Sequence, residues 1–163
     1  MWFLKSSPAM SIDPPDLIDL ATLAQALEIS RLDIQVEVLD QCPSTNALLL
    51  ERARAGAPHA SAIVCERQTA GKGRRGSAWV SASGASLTFS LLWRFDSSVL
   101  ALSGLSLAVA VASARALEAQ GGTQLTLKWP NDLLFDGRKL GGILIETLTG
   151  ANSTVAVLSL IHI

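Results

Sequence analysis

The sequence predicts an α+β domain in which helices pack on a mixed β-sheet. Segments whose apolar residues alternate, as half-buried strands do, outnumber the segments with helical periodicity. The resulting order, β-α-β-β-α-β-β-β-β, contains too few crossover helices for a doubly wound parallel sheet. The chain has 163 residues, of which 49% are hydrophobic and 17% charged. This length and composition predict one domain with a real core rather than a disordered chain.

The first half of the chain predicts two helices and two strands. A short helical pattern in DLIDLATLAQALE is followed by DIQVEVLD, which alternates as a strand does. PSTNALLLERARAG has the pattern of a capped helix, with Ser44 or Thr45 as the N-cap, Ala53 facing inward and Gly56 at the end. SAIVCE then predicts a second strand.

The second half predicts one long helix and five strands. SLTFSLLWRF alternates through Leu87, Phe89, Leu91 and Trp93, which indicates a strand. The apolar stretch LSGLSLAVAVASARALEAQGG predicts a helix that ends at its two glycines. LTLKWP predicts a short strand, and the Asp-Gly pair in LLFDGRKL is a strong signal for a two-residue hairpin. GGILIETL and STVAV complete the predicted sheet.

Charge and cysteine content argue against several classes of protein. The formal net charge of -1 argues against a general nucleic-acid-binding domain, which is usually basic, so we expect no DNA partner. Cys42 and Cys65 lack the spacing of metal ligands and predict a reduced, cytoplasmic protein. The longest apolar segment, residues 105–112, is broken by serine and followed by Arg115, so we expect no membrane span.

The most unusual stretch is RQTAGKGRRGSAW, residues 67–79. Four of the 13 Lys and Arg residues lie between Arg67 and Arg75, together with three glycines. Glycines let the backbone approach an anion closely, and side-chain cations can close around it. The glycines also spell G-x-G-x-x-G, but a strand-like segment follows them, whereas the dinucleotide fingerprint opens a helix. A nucleotide-triphosphatase P-loop is excluded because Lys72 is followed by Gly73 rather than by Ser or Thr.

Two further motifs place polar residues at the ends of predicted elements. In KWPND a strand ends at Lys128, and a proline turn brings Asn131 and Asp132 to the strand end. A lysine, an amide and a carboxylate at such a place suit a phosphate and a metal-bound nucleotide, although they also form ordinary turns. The STN segment, residues 44–46, begins the capped helix. Its polar groups cap the helix, and the free N–H groups there can also bind a polar ligand.

Together, and in this order, the motifs resemble the catalytic domain of biotin–protein ligases. That family is recognised by S-T-N, by G-R-G-R-R-G-x-x-W, and by K-W-P-N-D followed by K-L-x-G-I-L-x-E. This sequence has STN, GKGRRGSAW, KWPND and KLGGILIE. The resemblance implies the fold of biotin and lipoate protein ligases, which is also like that of class II aminoacyl-tRNA synthetases. It further implies an enzyme that joins biotin to ATP, with Mg²⁺ as counter-ion, and passes biotin from biotinyl-5′-adenylate to a lysine of a biotin carboxyl carrier protein.

The resemblance also implies roles for individual residues. Lys128 and Arg74 are the expected catalytic residues, beside the reacting carboxyl and phosphate groups. The residues expected to bind biotin are Ser44, Thr45, Asn46, Gln68, Lys72, Gly73, Arg74, Lys128, Gly141 and Gly142. The residues expected to bind the nucleotide are Gly71, Lys72, Arg74, Trp79, Asn131 and Asp132. No protein ligand to a metal is implied. The first loop arginine of the family is a lysine here, Lys72, which keeps the charge but loses the bidentate fork.

Three parts of the chain are expected. Residues 1–31 are too few for the winged-helix DNA-binding domain that many bacterial members carry. Residues 32–157 correspond to part of the catalytic domain. Residues 158–163, LSLIHI, stand where the family has G-x-G-x-N, and a transposon adapter used in sequencing libraries encodes the same six residues. We therefore expect a non-native tail on a C-terminally truncated domain, which folds poorly because STVAV lacks its neighbouring strands.

Two other functions stay open at this point. A lipoate ligase or octanoyl transferase resembles a biotin ligase in fold and has a related K-x-N-D element, although GKGRRG together with KWPND favours biotin. A truncated domain can also bind biotin or biotinyl-adenylate without transferring biotin to another protein.

Overall fold

The computed structural model describes residues 18–30, 33–150 and 153–162. Its helices are α1 (Leu20–Ser30), α2 (Thr45–Arg54) and α3 (Leu105–Ala119). Its strands are β1 (Gln35–Cys42), β2 (Ser61–Gln68), β3 (Gly71–Lys72), β4 (Ala78–Trp79), β5 (Thr88–Phe95), β6 (Leu125–Lys128), β7 (Asp132–Phe135), β8 (Arg138–Thr149) and β9 (Thr154–His162). Apart from the two-residue strands β3 and β4, the order from β1 onward is the predicted one. The predicted helix of residues 16–28 corresponds to α1, and its first two residues lie outside the described part of the chain.

Seven of the strands form one mixed sheet in the order β1-β2-β5-β9-β8-β7-β6. β1 and β2 are parallel and are joined through α2, whereas the other neighbouring strands are antiparallel. The strands β3 and β4 pair separately as a small hairpin. A mixed sheet with helices packed on it is the predicted α+β class, which is confirmed.

The helices α2 and α3 cover opposite faces of this sheet. α2 packs through Leu49 against Ile63, Leu92 and Val157. α3 packs against a second cluster, which includes Leu160. Val157 and Leu160 lie an odd number of residues apart on β9, so their side chains point to opposite faces. The face that α2 covers is the one that carries the candidate site.

The helix α2 begins and ends as the sequence predicts. Its N-cap is Ser44, whose Oγ accepts a hydrogen bond of 3.4 Å from the N–H of Ala47. Gly56 lies just beyond the last turn with φ of +91°, in the left-handed region that favours glycine. Leu49 and Leu50 anchor the helix in the core. This anchoring holds the first turn of α2, with its polar residues, against the sheet.

The strand β9 lies inside the sheet, which corrects the prediction that this strand lacks its neighbours. It pairs with β5 on one side and with β8 on the other, and this pairing extends through residues 158–162. The edges of the sheet are β1 and β6. Both neighbours of β9 come from earlier parts of the chain, and local patterning does not reveal such long-range pairing. That residues 158–163 are non-native stays a prediction.

The helix α3 is unusually apolar. Together with the preceding turn, Val99–Ala119 has the length and the hydropathy, 1.7, of a membrane-spanning helix. Ala110 and Ala114 nevertheless pack in a core cluster with residues of the sheet, and α3 contacts β6, β7 and β8. One such helix among the described residues is weak evidence for a membrane protein, and these contacts are those of a helix on the surface of a globular domain.

Candidate active site

The glycine-rich stretch forms a tight hairpin directly after β2. Gly71 in β3 pairs with Trp79 in β4, and the N–H of Gly73 donates a hydrogen bond of 2.7 Å to the carbonyl oxygen of Ser77. The 3-10 turn between the two strands includes Arg75, whose φ of +57° lies in the left-handed region. The hairpin therefore turns sharply, and its basic side chains lie close to one another.

Two of the glycines allow approaches that a side chain would block. A Cβ atom at Gly71 would lie 2.8 Å from Gln68 Nε2 and 2.8 Å from the carbonyl oxygen of Trp79. At Gly73 it would lie 2.7 Å from Ser77 Oγ. Protein Cβ atoms essentially never come so close to other atoms. Close packing of the hairpin on itself and on Gln68 is thus the reason that these two positions are glycine.

A cavity of about 410 Å³ lies between this hairpin and the hairpin formed by β7 and β8. Four of its lining side chains are cations, namely Lys72, Arg74, Arg75 and Lys139. Asp132 is the one carboxylate among the lining residues. The excess of positive charge suits phosphate and carboxylate groups. The structure thus places the basic residues where the sequence predicts an anion to bind.

Two of these cations have defined partners across the cavity. Arg74 Nη1 donates a hydrogen bond of 3.1 Å to Asn131 Oδ1. Asn131 is itself fixed, because its Nδ2 donates a 2.9 Å bond to the carbonyl oxygen of Ile143 in β8. The Nζ atom of Lys139 lies 2.8 Å from Asp132 Oδ1. Asn131 and Asp132 of the KWPND motif therefore each contact one cation of the cavity.

Trp79 lies between the small hairpin and the sheet. Its Cη2 and Cζ3 atoms are 3.5 Å from the position of a Cβ atom at Gly142. The Nζ atom of Lys139 is 4.9 Å from the centroid of the Trp79 ring, which is a cation–π contact. The Nε1 atom of Trp79 is buried and has no hydrogen-bond partner among the described residues. The indole therefore forms one wall of the cavity and contributes to the placement of Lys139.

A cluster of buried polar side chains lies at the start of α2. Ser44, Thr45, Asn46 and Gln68 are each at most 5% exposed. Gln68 Oε1 accepts hydrogen bonds from the N–H of Thr45 at 2.7 Å and from its Oγ1 at 3.1 Å. The structure thus joins the STN segment to the end of β2, and it brings together four of the ten residues that the resemblance assigns to biotin.

Two serines that the sequence motifs did not single out complete this buried polar cluster. Ser90 Oγ donates a 2.8 Å hydrogen bond to Thr45 Oγ1 and lies 2.7 Å from Ser159 Oγ. Asn46 Nδ2 donates a 2.9 Å bond to Ser159 Oγ. The hydroxyl groups of Ser90 in β5 and Ser159 in β9 therefore hold the side chains of Thr45 and Asn46 in place by hydrogen bonds.

The alternation of large apolar residues in β5 explains why Ser90 was not predicted. Phe89 and Leu91 suggest one inward face, but they are only half-buried. The fully buried face of this strand carries Thr88, Ser90 and Leu92. Helices or loops cover both sides of the strand, so hydrophobic periodicity alone does not identify the face that carries the site.

The buried polar cluster and the cavity are contiguous. Leu144, which lines the cavity, pairs in the sheet with Ser159 of the cluster. Gln68 Nε2 lies next to the backbone of Gly71 at the start of the hairpin. The Nε2 atom of Gln68 and the Oγ1 atom of Thr88 are buried without a partner among the described residues. Buried polar groups are almost always hydrogen-bonded, so these two atoms lack partners that the described residues do not supply.

Two of the predicted site residues lie outside this arrangement. Gly141 adjoins Gly142 on β8, where neighbouring residues face opposite sides, and it lines an apolar cavity under α3. Its contact with biotin stays a prediction. Lys128 is exposed at the end of β6 and is not among the residues that line the basic cavity. It pairs with Asp132, which pairs with Gly142, so it stands one strand farther out. The catalytic role of Lys128 stays a prediction.

Lys139 is a cation of the cavity to which the sequence analysis assigned no role. It is the lysine of KLGGILIE and lies two residues after Gly137 of the hairpin turn. The turn between β7 and β8 brings it back beside Asp132. The sequence feature that could have indicated Lys139 is its position near the start of a strand that follows a tight turn. The sequence analysis instead assigned the phosphate-binding role to Lys128, at the strand end in KWPND.

The described residues include no group of three or more His, Cys, Asp or Glu that could hold a metal ion.

Comparison with known proteins identifies the family. The sequence model of the Biotin/lipoate A/B protein ligase family matches residues 38–162. The chain belongs to this family. It is 39% identical over 150 residues to the bifunctional ligase/repressor BirA of Escherichia coli, which covers 91% of this chain and 46% of that protein. It is 43% identical over 117 residues to the biotin–[acetyl-CoA-carboxylase] ligase of Mycobacterium tuberculosis, which covers 69% of this chain and 44% of that protein.

Solved structures agree with this assignment. The fold is similar to that of a biotin protein ligase from Aquifex aeolicus in complex with biotin and ATP, with a TM-score of 0.62, 30% identity, and coverage of 77% of this chain and 51% of that one. It is also similar to biotin acetyl coenzyme A carboxylase synthetase from Helicobacter pylori with bound biotinylated ATP, with a TM-score of 0.59, 30% identity, and coverage of 78% and 60%. The chain spans about half the length of the curated relatives that it matches.

Proposed function

We propose that this chain is a catalytic part of a biotin–protein ligase. In this reaction a carboxylate oxygen of biotin attacks the α-phosphorus of ATP, pyrophosphate leaves, and biotinyl-5′-adenylate forms. The amine of a carrier lysine then attacks the acyl carbon, AMP leaves and the amine loses a proton. The observation that carries the proposal is the contiguity of a buried polar cluster, with an unpaired amide at Gln68, and a cavity lined by cations.

The buried polar cluster suits the ureido ring of biotin. A cyclic urea has one carbonyl acceptor and two N–H donors, so it needs donors and acceptors close together. Ser44, Thr45 and Asn46 offer hydroxyl and amide groups, and Gln68 Nε2 is a buried donor that no described residue satisfies. A buried site of this kind rejects molecules that cannot make its hydrogen bonds, because its polar groups would then stay unpaired.

The basic cavity suits the reacting carboxyl and phosphate groups. Lys72, Arg74 and Lys139 would face the negative charge that the two substrates bring together. Cations that are already in place stabilise the charge of the transition state without the reorganisation that water would require. Arg74 would act there as a catalytic residue, in line with the resemblance. We assign the role that the sequence gave to Lys128 to Lys139, because Lys139 lines the cavity.

The nucleotide would lie over the glycine hairpin. Gly71 and Gly73 allow the tight hairpin to form, and Lys72 and Arg74, which line the cavity, would contact the phosphates. Trp79 offers an aromatic surface to the adenine ring, and Asn131 keeps Arg74 in place through the 3.1 Å hydrogen bond. We expect Mg²⁺ to arrive with ATP as its counter-ion, since phosphate oxygens are ligands that Mg²⁺ prefers.

The acceptor of biotin would be a lysine of a biotin carboxyl carrier protein. The name of the Mycobacterium tuberculosis relative, biotin–[acetyl-CoA-carboxylase] ligase, supports a carboxylase subunit as this partner. The free thiols of Cys42 and Cys65 support a reducing compartment, so we expect the reaction to take place in the cytoplasm. The adenylate is a reactive mixed anhydride, and a site that excludes water protects it before transfer.

Biotin is favoured over lipoate as the substrate. The matched family includes both kinds of ligase, so the family alone does not decide between them. The Mycobacterium tuberculosis relative is named as a biotin ligase, and similar solved structures contain biotin or biotinylated ATP. The polar cluster also favours biotin, because the dithiolane ring of lipoate has no N–H or carbonyl group to pair with Gln68 and Asn46.

The experiment is substrate-dependent exchange of labelled pyrophosphate into ATP. We expect exchange with biotin, ATP and Mg²⁺ and little exchange when lipoate replaces biotin. Exchange with lipoate but not with biotin would contradict the assignment. Addition of a carrier domain, with mass spectrometry of its lysines, then tests the transfer step separately, and exchange without transfer would indicate a chain that activates biotin but does not pass it on.

A further inference from the structure

Asp132 is a carboxylate in a cavity that otherwise collects positive charge. It is the first residue of β7, and its Oδ1 lies 2.8 Å from Lys139 Nζ. A carboxylate repels phosphate groups at this distance scale, so its presence in a nucleotide site needs a reason. The resemblance places Asp132 among the nucleotide-binding residues, but the structure gives it a protein partner.

The ammonium group of Lys139 is held from two sides. Asp132 accepts one of its hydrogen bonds, and the ring of Trp79 lies below it with 4.9 Å between Nζ and the ring centroid. A lysine side chain has four flexible carbons and loses rotamer entropy when it is fixed. Two contacts that fix it before the substrates bind remove this cost from the reaction step.

We propose that Asp132 is a positioning residue, which holds the ammonium group of Lys139 at the phosphate end of the cavity and binds neither the nucleotide nor Mg²⁺ itself. The effect of Asp132 on catalysis depends on the proposed function. The inference goes beyond that function because it gives the carboxylate of KWPND a role that acts through another side chain.

Because the ion pair of Lys139 and Asp132 is partly exposed, its role in positioning can be distinguished from a role in the stability of the fold. The side chains of Lys139 and Asp132 are 39% and 22% exposed. Ion pairs with this much exposure contribute little to the free energy of unfolding, because water and salt screen them. Loss of the Asp132 carboxylate should therefore leave the fold nearly unchanged. A shift of about 1 Å in a reacting group can nevertheless lower a rate by about 10²-fold.

A double-mutant cycle tests the proposal. The four proteins are the unsubstituted chain, Asp132→Asn, Lys139→Met and the double variant, and the assay is biotin-dependent pyrophosphate exchange. Asp132→Asn should lower kcat about tenfold or more, with KM for ATP changed less than about threefold. In the Lys139→Met background the same substitution should have no further effect, because the group that it positions is gone. Asp136→Asn is the matched control, since Asp136 lies in the same hairpin and has no ion-pair partner among the described residues.

Additive effects of the two substitutions would overturn the proposal. A raised Mg²⁺ requirement in Asp132→Asn that persists in the Lys139→Met background would overturn it as well, because it would mean that Asp132 meets the metal–nucleotide directly.

Calorimetric titration with inorganic pyrophosphate repeats the cycle without catalysis. Asp132→Asn should weaken pyrophosphate binding about two- to tenfold in the otherwise unsubstituted chain, which is the scale of one ordered side chain. It should not weaken binding in the Lys139→Met background. Tighter binding by Asp132→Asn alone would mean that the carboxylate only repels anions and would contradict the positioning role. If the chain shows no biotin-dependent exchange, the proposed function fails, and the titration still decides the role of Asp132.

Discussion

The backbone N–H of Thr45 donates a 2.7 Å hydrogen bond to Oε1 of Gln68, which joins the first turn of α2 to the end of β2. This bond fixes the orientation of the Gln68 amide, because its oxygen is used inside the protein. The amide nitrogen is then left over, buried and without a partner among the described residues. Gln68 is therefore both a structural link and the donor that we assign to the ureido ring of biotin.

The substitution Gln68→Met should lower both the stability of the protein and its affinity for biotin. Methionine keeps most of the volume but leaves the N–H of Thr45 unpaired, which costs about 1–3 kcal/mol of the free energy of unfolding. The dissociation constant for biotin should rise at least about tenfold, because a donor to the ureido oxygen is lost. Chemical denaturation and calorimetric titration with biotin measure the two effects. Gln41→Ala, at an exposed position of β1, is the control and should change neither; unchanged biotin affinity in Gln68→Met would remove Gln68 from the site.

The hairpin glycines should differ in their tolerance of alanine. In Gly71→Ala the new Cβ meets the backbone oxygen of Trp79 at 2.8 Å, so the hairpin itself must move. In Gly73→Ala the contact is Ser77 Oγ at 2.7 Å, and a hydroxyl can rotate away. We expect Gly71→Ala to lower kcat/KM for ATP in the exchange assay more strongly, with a cost in stability of about 1–3 kcal/mol. Equal kcat/KM values for the two variants would show that the backbone contact at Gly71 is unimportant.

Lys139 and Lys128 should contribute differently to adenylation. Lys139 lines the cavity, whereas Lys128 is exposed one strand farther out. Lys139→Met should lower kcat for exchange by about 10²–10³, the usual effect of removing one group that stabilises transition-state charge. Lys128→Met should lower it much less, and both variants should melt like the unsubstituted chain. A large loss in Lys128→Met with little loss in Lys139→Met would restore the role that the sequence resemblance gave to Lys128.

The local elements and the motif residues were largely predictable from the sequence, but their pairing was not. The cap at Ser44 and the stop at Gly56 are local signals, and the structure contains both. The position of β9 between β5 and β8 depends on long-range pairing, which hydrophobic alternation does not encode. For the same reason the sequence did not indicate Ser159, whose Oγ accepts a hydrogen bond from Asn46 although the two residues lie 113 positions apart in the chain.

Two predicted site residues, Gly141 and Lys128, do not line the basic cavity, and one physical cause explains both positions. The motif identifies a short segment, but the face of the strand and the register decide which residue of the segment meets the ligand. Gly141 and Gly142 stand side by side, and only Gly142 lines the cavity. Lys128 and Lys139 are both lysines at strand ends, and the turn between β7 and β8 places Lys139 at the cavity.

The thiol of Cys42 should react slowly in the folded protein. Burial, together with a hydrogen bond to Cys65, raises the pKa of Cys42 to about 12. Below that pH the thiol stays protonated, and only the thiolate reacts with alkylating agents, so labelling should increase as the pH rises. At pH 8 we expect iodoacetamide to modify Cys42 at least about 100-fold more slowly in the native chain than in urea. Equally rapid labelling in both conditions, followed by mass spectrometry of the peptides, would contradict the burial of this residue.

The central claim is that the buried polar cluster and the basic cavity form one elongated site, and binding of a stable analogue of biotinyl-5′-adenylate tests it most directly. The analogue would be titrated calorimetrically into the unsubstituted chain, Gln68→Met at the ureido end and Lys139→Met at the phosphate end. We expect binding to the unsubstituted chain and a dissociation constant raised at least about tenfold by each substitution, since each removes one group that meets the ligand. A dissociation constant that neither substitution changes, or one that only Lys139→Met raises, would contradict the single elongated site.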